Sequence, residues 1–167
     1  VVWANTHGSF LLGPAVVALF ACGEAAEAFR HSPALALRAR LGVAAQAGWP
    51  YALAATAMAL VSLLNPLGIG LWRFVFELSS SQVTKLAINE WQPTLSPRFM
   101  SEPPFFIFIG ACLVSVAILA WRWRRLRATD VVLMLLFAVL AFDRSRFIVL
   151  FGFAAAVVCA SVLGTSA

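Results

Sequence analysis

The chain has 167 residues, of which 62% are hydrophobic and 11% charged, and its mean hydropathy is +0.92. A soluble globular domain is not built from that mixture, so the composition points to an all-α, polytopic transmembrane helix bundle. The formal net charge of +5 does not signal nucleic acid, because the basic residues are scattered among short loops rather than gathered on one polar face.

The chain opens within an apolar run at Val1-Val2-Trp3, with no basic leader or small-residue cleavage site, and is read as a fragment or truncated relative of a longer protein. Trp3-Ala4-Asn5-Thr6-His7-Gly8 heads the first membrane segment, about residues 9–29, with Ser9 as its N-cap and Pro14 in its first turns. Asn5, Thr6 and His7 cost free energy at membrane depth unless they are paired, and Gly8 permits close approach of another backbone. His7 has the chemistry of a general base, of a metal or pigment ligand, or of a histidine bonded to a neighbouring helix. No second His, Asp or Glu stands at ligand spacing beside it, so no metal site is expected. Cys22, Cys112 and Cys159 sit in separate apolar runs and read as small buried side chains.

A second segment, about 41–64, carries Pro50 and stops at Asn65-Pro66. From about 66 to 78, Leu67, Leu71, Phe74, Val75 and Leu78 recur at helical spacing with Arg73 and Glu77 elsewhere on the wheel. That pattern predicts an amphipathic helix lying in the membrane interface, continued by Val83, Leu86 and Ala87 beyond Ser79-Ser80-Ser81. Asn89-Glu90-Trp91-Gln92-Pro93 then groups an acid, an indole and two carboxamides outside any helix, in a loop of the kind that holds ligands. The third segment, about 105–121, follows Pro103-Pro104 and ends on Trp121 and Trp123 as interfacial anchors.

Four segments or five depend on how the last apolar run is read. From Val131 to Gly164 it is interrupted once, by Asp143-Arg144-Ser145-Arg146. One helix of roughly 34 residues would span about 50 Å against a hydrocarbon core of roughly 30 Å, so the run must fold back. The arms are about 131–142 and 147–164, with Thr129 or Asp130 capping the former. Ionisable groups at such a break are expensive, and the default reading is a site with an anion or buried partner. The plainer alternative has both arginines snorkelling to headgroups from an ordinary turn.

Arg30, Arg38 and Arg40 in one loop and Arg122, Arg124, Arg125 and Arg127 in another place both loops on the cytoplasmic side. Alternation then brings the first eight residues, the Asn65 to Pro104 connection and Asp143 to Arg146 to the outer face. Asn5, His7, Asn65, Glu90, Trp91, Arg144 and Arg146 thereby become candidates for one shared outer-face site.

In order, Trp3-Ala4-Asn5-Thr6-His7-Gly8-Ser9-Phe10, Asn65-Pro66-Leu67-Gly68, Glu90-Trp91 and the arginine-bearing turn before Phe147 resemble a pattern of large bacterial multi-span proteins. Those proteins read W-A-N-x-H-G-G-F, N-P-Y-G, E-W and an arginine near a closing hairpin, and look like glycosyltransferases of GT-C type. Ser9 replaces the second glycine and Leu67 the tyrosine. The resemblance covers nearly all of this chain and corresponds to the middle-to-late part of such a protein. It implies a bacterial cytoplasmic (inner) membrane location and a polyprenyl-phosphate sugar donor. It also implies a phosphate held by Arg144 or Arg146, and an acceptor hydroxyl oriented by Glu90 or His7. The acidic catalytic residue of the family's first outer loop would fall N-terminal to Val1, so these 167 residues alone are not expected to be catalytic. Membrane lipids and other transmembrane subunits are the expected partners. The competing reading is a non-catalytic accessory subunit, packed into a larger membrane complex through Ala154-Ala155-Ala156 and the alanines of 52–59.

Overall fold

The computed structural model describes residues 8–164, which are helical apart from their connecting turns. They fall into two compact units, the first ending at Ser81 and the second beginning at Gln82.

In the first unit a 3-10 turn, Gly8–Leu11, leads into α1, Leu12–Arg30, and a short loop returns the chain as α2, Leu37–Ser62. Ser9 therefore lies inside the 3-10 turn, and Leu11 takes the N-cap position without a side-chain bond. Pro14 falls in the first turn of α1, where a missing N–H costs least. The two helices meet along small residues: Gly23, Ala44, Gly48 and Ala55 are buried. A Cβ placed on Gly48 would stand 2.7 Å from the carbonyl oxygen of Ala21, so only glycine fits this crossing. Phe20 stacks on Tyr51 at 6.0 Å. Near the turn between the helices, Arg40 donates to Phe29 O (3.1 Å) and lies over the Phe29 ring at 3.8 Å. The amphipathic helix predicted after Asn65 is present as α3, Ile69–Ser80, followed by α4, Gln82–Ala87, at the start of the second unit. Leu71 packs with Phe10 in a small core flanked by Leu11, Trp72 and Val75. Trp72 also donates its indole N–H to the buried Ser62 hydroxyl (2.9 Å). Gly8 faces a methyl of Val75 at ordinary contact distance rather than another backbone.

In the second unit, α5, Pro97–Met100, precedes α6, Pro103–Trp121, α7, Ala128–Asp143, and α8, Ile148–Gly164. The core is formed by Phe108, Met134, Ala141, Phe151, Ala155, Val158 and Val162 from the last three helices. Phe108 is the hub, edge-on to Phe142 (5.1 Å) and Phe151 (5.4 Å). The chain breaks where the apolar run is interrupted: α7 ends at Asp143, Arg144 is extended, and Ser145–Phe147 forms a 3-10 turn. The N-cap of α7 is Arg127, not Thr129 or Asp130; Asp130 lies in the first turn, its carboxylate accepting from Arg127 N (3.2 Å).

Among the described residues three helical stretches are long and apolar enough to cross a membrane: Gly8–Arg30, Pro103–Trp121 and Ser145–Gly164. Leu37–Ser62 is long enough but diluted by Arg38, Arg40, Gln46, Pro50 and Tyr51, and the 16 residues of Ala128–Asp143 reach only about 24 Å. The exposed large side chains of α6 and α8 are hydrocarbon, including Leu113, Val114 and Val116 on one and Val149, Phe153 and Val157 on the other. Surfaces of that kind suit lipid rather than water. The same surroundings explain why Cys22 is exposed while Cys159 is buried: an apolar side chain facing lipid needs no protein cover.

Candidate functional site

The hairpin tip is held by the loop that follows α4. Ile88 is extended, Asn89–Trp91 make a 3-10 turn, and Gln92 is extended again, as required of a residue before proline. That backbone course turns the Gln92 carbonyl toward the tip, where Ser145 N donates to it (3.0 Å). Two residues on, Thr94 N donates to Phe142 O (3.1 Å), and the buried Thr94 hydroxyl donates to Ala141 O. The last carbonyls of α7, which have no partner within their own helix, are thus satisfied by a distant strap of chain.

The same strap delivers Trp91 to the arginines. The Arg144 guanidinium carbon lies 4.6 Å from the Trp91 ring centre and that of Arg146 lies 5.0 Å from it. Arg146 also approaches the Phe147 ring at 5.5 Å. Arg144 Nε donates to Asp143 Oδ2 at 3.1 Å, and the Arg144 side chain is only 11% exposed against 56% for Asp143. Two like charges on one indole are favourable to the ring individually, at about 0.5–1 kcal/mol each when exposed and more when desolvated. They repel one another, and Asp143 offsets one of them.

Beside the tip is a cavity of about 250 Å³ lined by Asn89, Glu90, Gln92, Arg98, Phe99, Glu102, Pro104 and Ser145. It offers carboxylate acceptors, guanidinium donors and amphoteric carboxamides along with one aromatic wall, a set that matches a ligand rich in hydroxyls. Ser96, whose hydroxyl accepts from Phe99 N (3.4 Å), and Pro97 start the short α5 that carries Arg98 and Phe99 to this wall. Arg98 and Glu102 were legible only as charges four apart ahead of Pro103-Pro104; their sharing a cavity with Glu90 depends on the strap.

The structure therefore joins Glu90, Trp91, Arg144 and Arg146 at one end of the second unit, the end away from the Arg122–Arg127 turn. Asn65 belongs to the first unit, and Asn5 and His7 lie outside the described residues. Asn65 acts locally, its side-chain oxygen accepting from Leu67 N (2.8 Å) while Gly68 N donates to its carbonyl (2.8 Å). Gly68 has φ +49°, a conformation that glycine alone adopts without strain. The Asn-Pro-Leu-Gly motif is thus a turn that ends α2 and launches α3. Among the described residues no group of three or more His, Cys, Asp or Glu is placed to hold a metal.

No protein-family model, curated protein or solved structure matches the chain. Its class rests on the fold itself, helical throughout the described residues, with three helices long and apolar enough to cross a membrane.

Proposed function

We propose that this chain is the lipid-phosphate-holding part of a polytopic glycosyltransferase of GT-C type in a bacterial cytoplasmic membrane, with the hairpin tip at the outer face. The observation that carries the reading is the convergence of Arg144 and Arg146 on Trp91, beside a polar cavity lined by Glu90 and Ser145. Asp143 answers one guanidinium at 3.1 Å. A phosphate of a polyprenyl-phosphate sugar answers the other, since guanidinium donors match phosphate oxygens in a planar, two-pronged geometry. The sugar then occupies the cavity, where Glu90 accepts a hydrogen bond from a hydroxyl and orients it. Following the GT-C pattern, the catalytic acid comes from an upstream outer loop, and the present residues bind and orient the substrate.

The test is retention of a radiolabelled polyprenyl-phosphate sugar by the chain purified from membranes. The double substitution Arg144→Ala with Arg146→Ala lowers retention by about tenfold or more, the loss of one charge-assisted contact. Lysine at both positions restores only part of it, because charge returns without the fork. Retention unchanged by the alanine pair overturns the assignment. A second reading, an accessory subunit of a larger complex, is supported by the exposed alanines Ala52, Ala54 and Ala57 on α2, where another helix backbone can come close. Stoichiometric recovery with a larger complex and without polyprenyl lipid selects that reading.

A further inference from the structure

The helix pair of the first unit carries polar groups on its outward side. Gly48 fixes which side of α2 meets α1, and Gln46, two residues earlier, stands about 200° round the helix from it. Gly42, Gln46, Trp49 and Leu53 form one exposed stripe there at helical spacing, with Trp49 62% and Leu53 52% exposed. Depth follows from α1. The second helix runs back along it, Arg40 against Phe29, Gly48 against Ala21 and Tyr51 against Phe20, and α1 belongs to the stretch Gly8–Arg30 that is able to cross a membrane. With Arg40 at the membrane surface, Gln46 lies about 9 Å further in and Trp49 about 13 Å, against a hydrocarbon half-thickness of roughly 15 Å. Neither side chain makes a hydrogen bond among the described residues. A third group is unmet: Pro50 has no N–H, so the Gln46 carbonyl, four residues before it, lacks its helical donor. In hydrocarbon each such group is costly until it finds a partner.

We propose that this stripe is the contact between two copies of the chain, whose α2 helices cross at Gln46 about a twofold axis. Lipid tails offer neither donor nor acceptor. A carboxamide offers both, so on a twofold axis the amide of one Gln46 donates to the free Gln46 carbonyl oxygen of the other copy, and symmetry makes the reverse bond. Each copy supplies what the other lacks, and the Trp49 indole brings a further donor to the same seam. Gly42, with no atom within 4 Å of a Cβ built on it, leaves room one turn away for the second backbone to come close. A single polar residue in an apolar seam also fixes register, because a slid pairing leaves the amide unmet. The contact is independent of the hairpin-tip assignment, with which it shares no residue.

The test uses the whole chain, labelled with donor or acceptor dye and reconstituted in phosphatidylcholine vesicles at falling protein density, with dimers read by fluorescence energy transfer. Wild type dimerises, and Gln46→Leu raises the dissociation constant about tenfold, the loss of two interhelical hydrogen bonds. Gln46→Asn keeps a carboxamide and recovers part of that loss. Gly42→Leu holds the backbones apart and also weakens the dimer, whereas Gly152→Leu, at an equally open glycine on α8, leaves it unchanged. Circular dichroism in the same vesicles checks that each variant keeps its helicity. Wild-type chain that stays monomeric at every density overturns the proposal, as does a dimer indifferent to both Gln46→Leu and Gly42→Leu. If Gln46→Leu instead releases a different membrane protein that co-purifies with wild type, the stripe belongs to that subunit and the second-copy assignment falls. Polyprenyl-phosphate retention, measured on the same samples, is unaffected by these substitutions, which separates a failure here from a failure at the hairpin tip.

Discussion

The two units solve helix packing in opposite ways. In the first, α1 and α2 come together by removing side chains: Gly48 stands where even a methyl group would meet the Ala21 carbonyl at 2.7 Å. Backbones that close leave little room for anything else. In the second, α6, α7 and α8 are held apart by rings, with Phe108 wedged against Phe142 and Phe151. Helices spaced by aromatics leave room beside them, and the polar cavity described above opens at the hairpin-tip end of this unit.

Truncating the hub breaks the comparison most severely. Phe108→Ala is expected to cost about 3 kcal/mol, the low end for a buried phenylalanine, since hydrocarbon rather than water surrounds much of the unit. Thermal unfolding in detergent, followed by circular dichroism, checks it. Next in size, Gly48→Ala forces α1 and α2 apart and costs about 2 kcal/mol by overpacking, whereas Gly152→Ala on α8, with no atom near its would-be Cβ, is nearly silent. If both alanines prove equally harmless in the same melt, the close-crossing account of the first unit fails. Smaller still, Trp91→Leu removes the shared ring of Arg144 and Arg146 and costs about 1–2 kcal/mol. Its signature is local: faster amide exchange at Ser145, whose bond to Gln92 depends on the strap, with Phe151 unaffected. Uniform exchange changes across α8 would show that the strap is not a separate element.

Much of the helical layout was legible in the sequence, because apolar runs and their interruptions are local properties. The break at Asp143 to Arg146, the amphipathic stretch after Asn65 and the start of α6 at Pro103-Pro104 all appear within about three residues of their expected places. What hydropathy could not show is pairing at long range. Thr94 reaches Ala141 across 47 residues of sequence, and nothing in either segment announces the other. The Gly48 crossing was hidden for a different reason: small residues also fill 52–59 and 154–156, and only the backbone course decides which of them is pressed against a neighbour. Asn65 illustrates a third limit. Its motif was visible, but forming a turn and binding a ligand call on the same residue type.

The bond from Arg144 to Asp143 has a directional consequence. The N–H donors of a guanidinium lie in one plane, so fixing one of them fixes the directions open to the rest. Arg144 already directs one of them, from Nε, to Asp143. At the hairpin tip the remaining donors of Arg144 are therefore oriented by Asp143, and an anion bound as proposed would be recognised by the angles of its oxygens as well as by its charge.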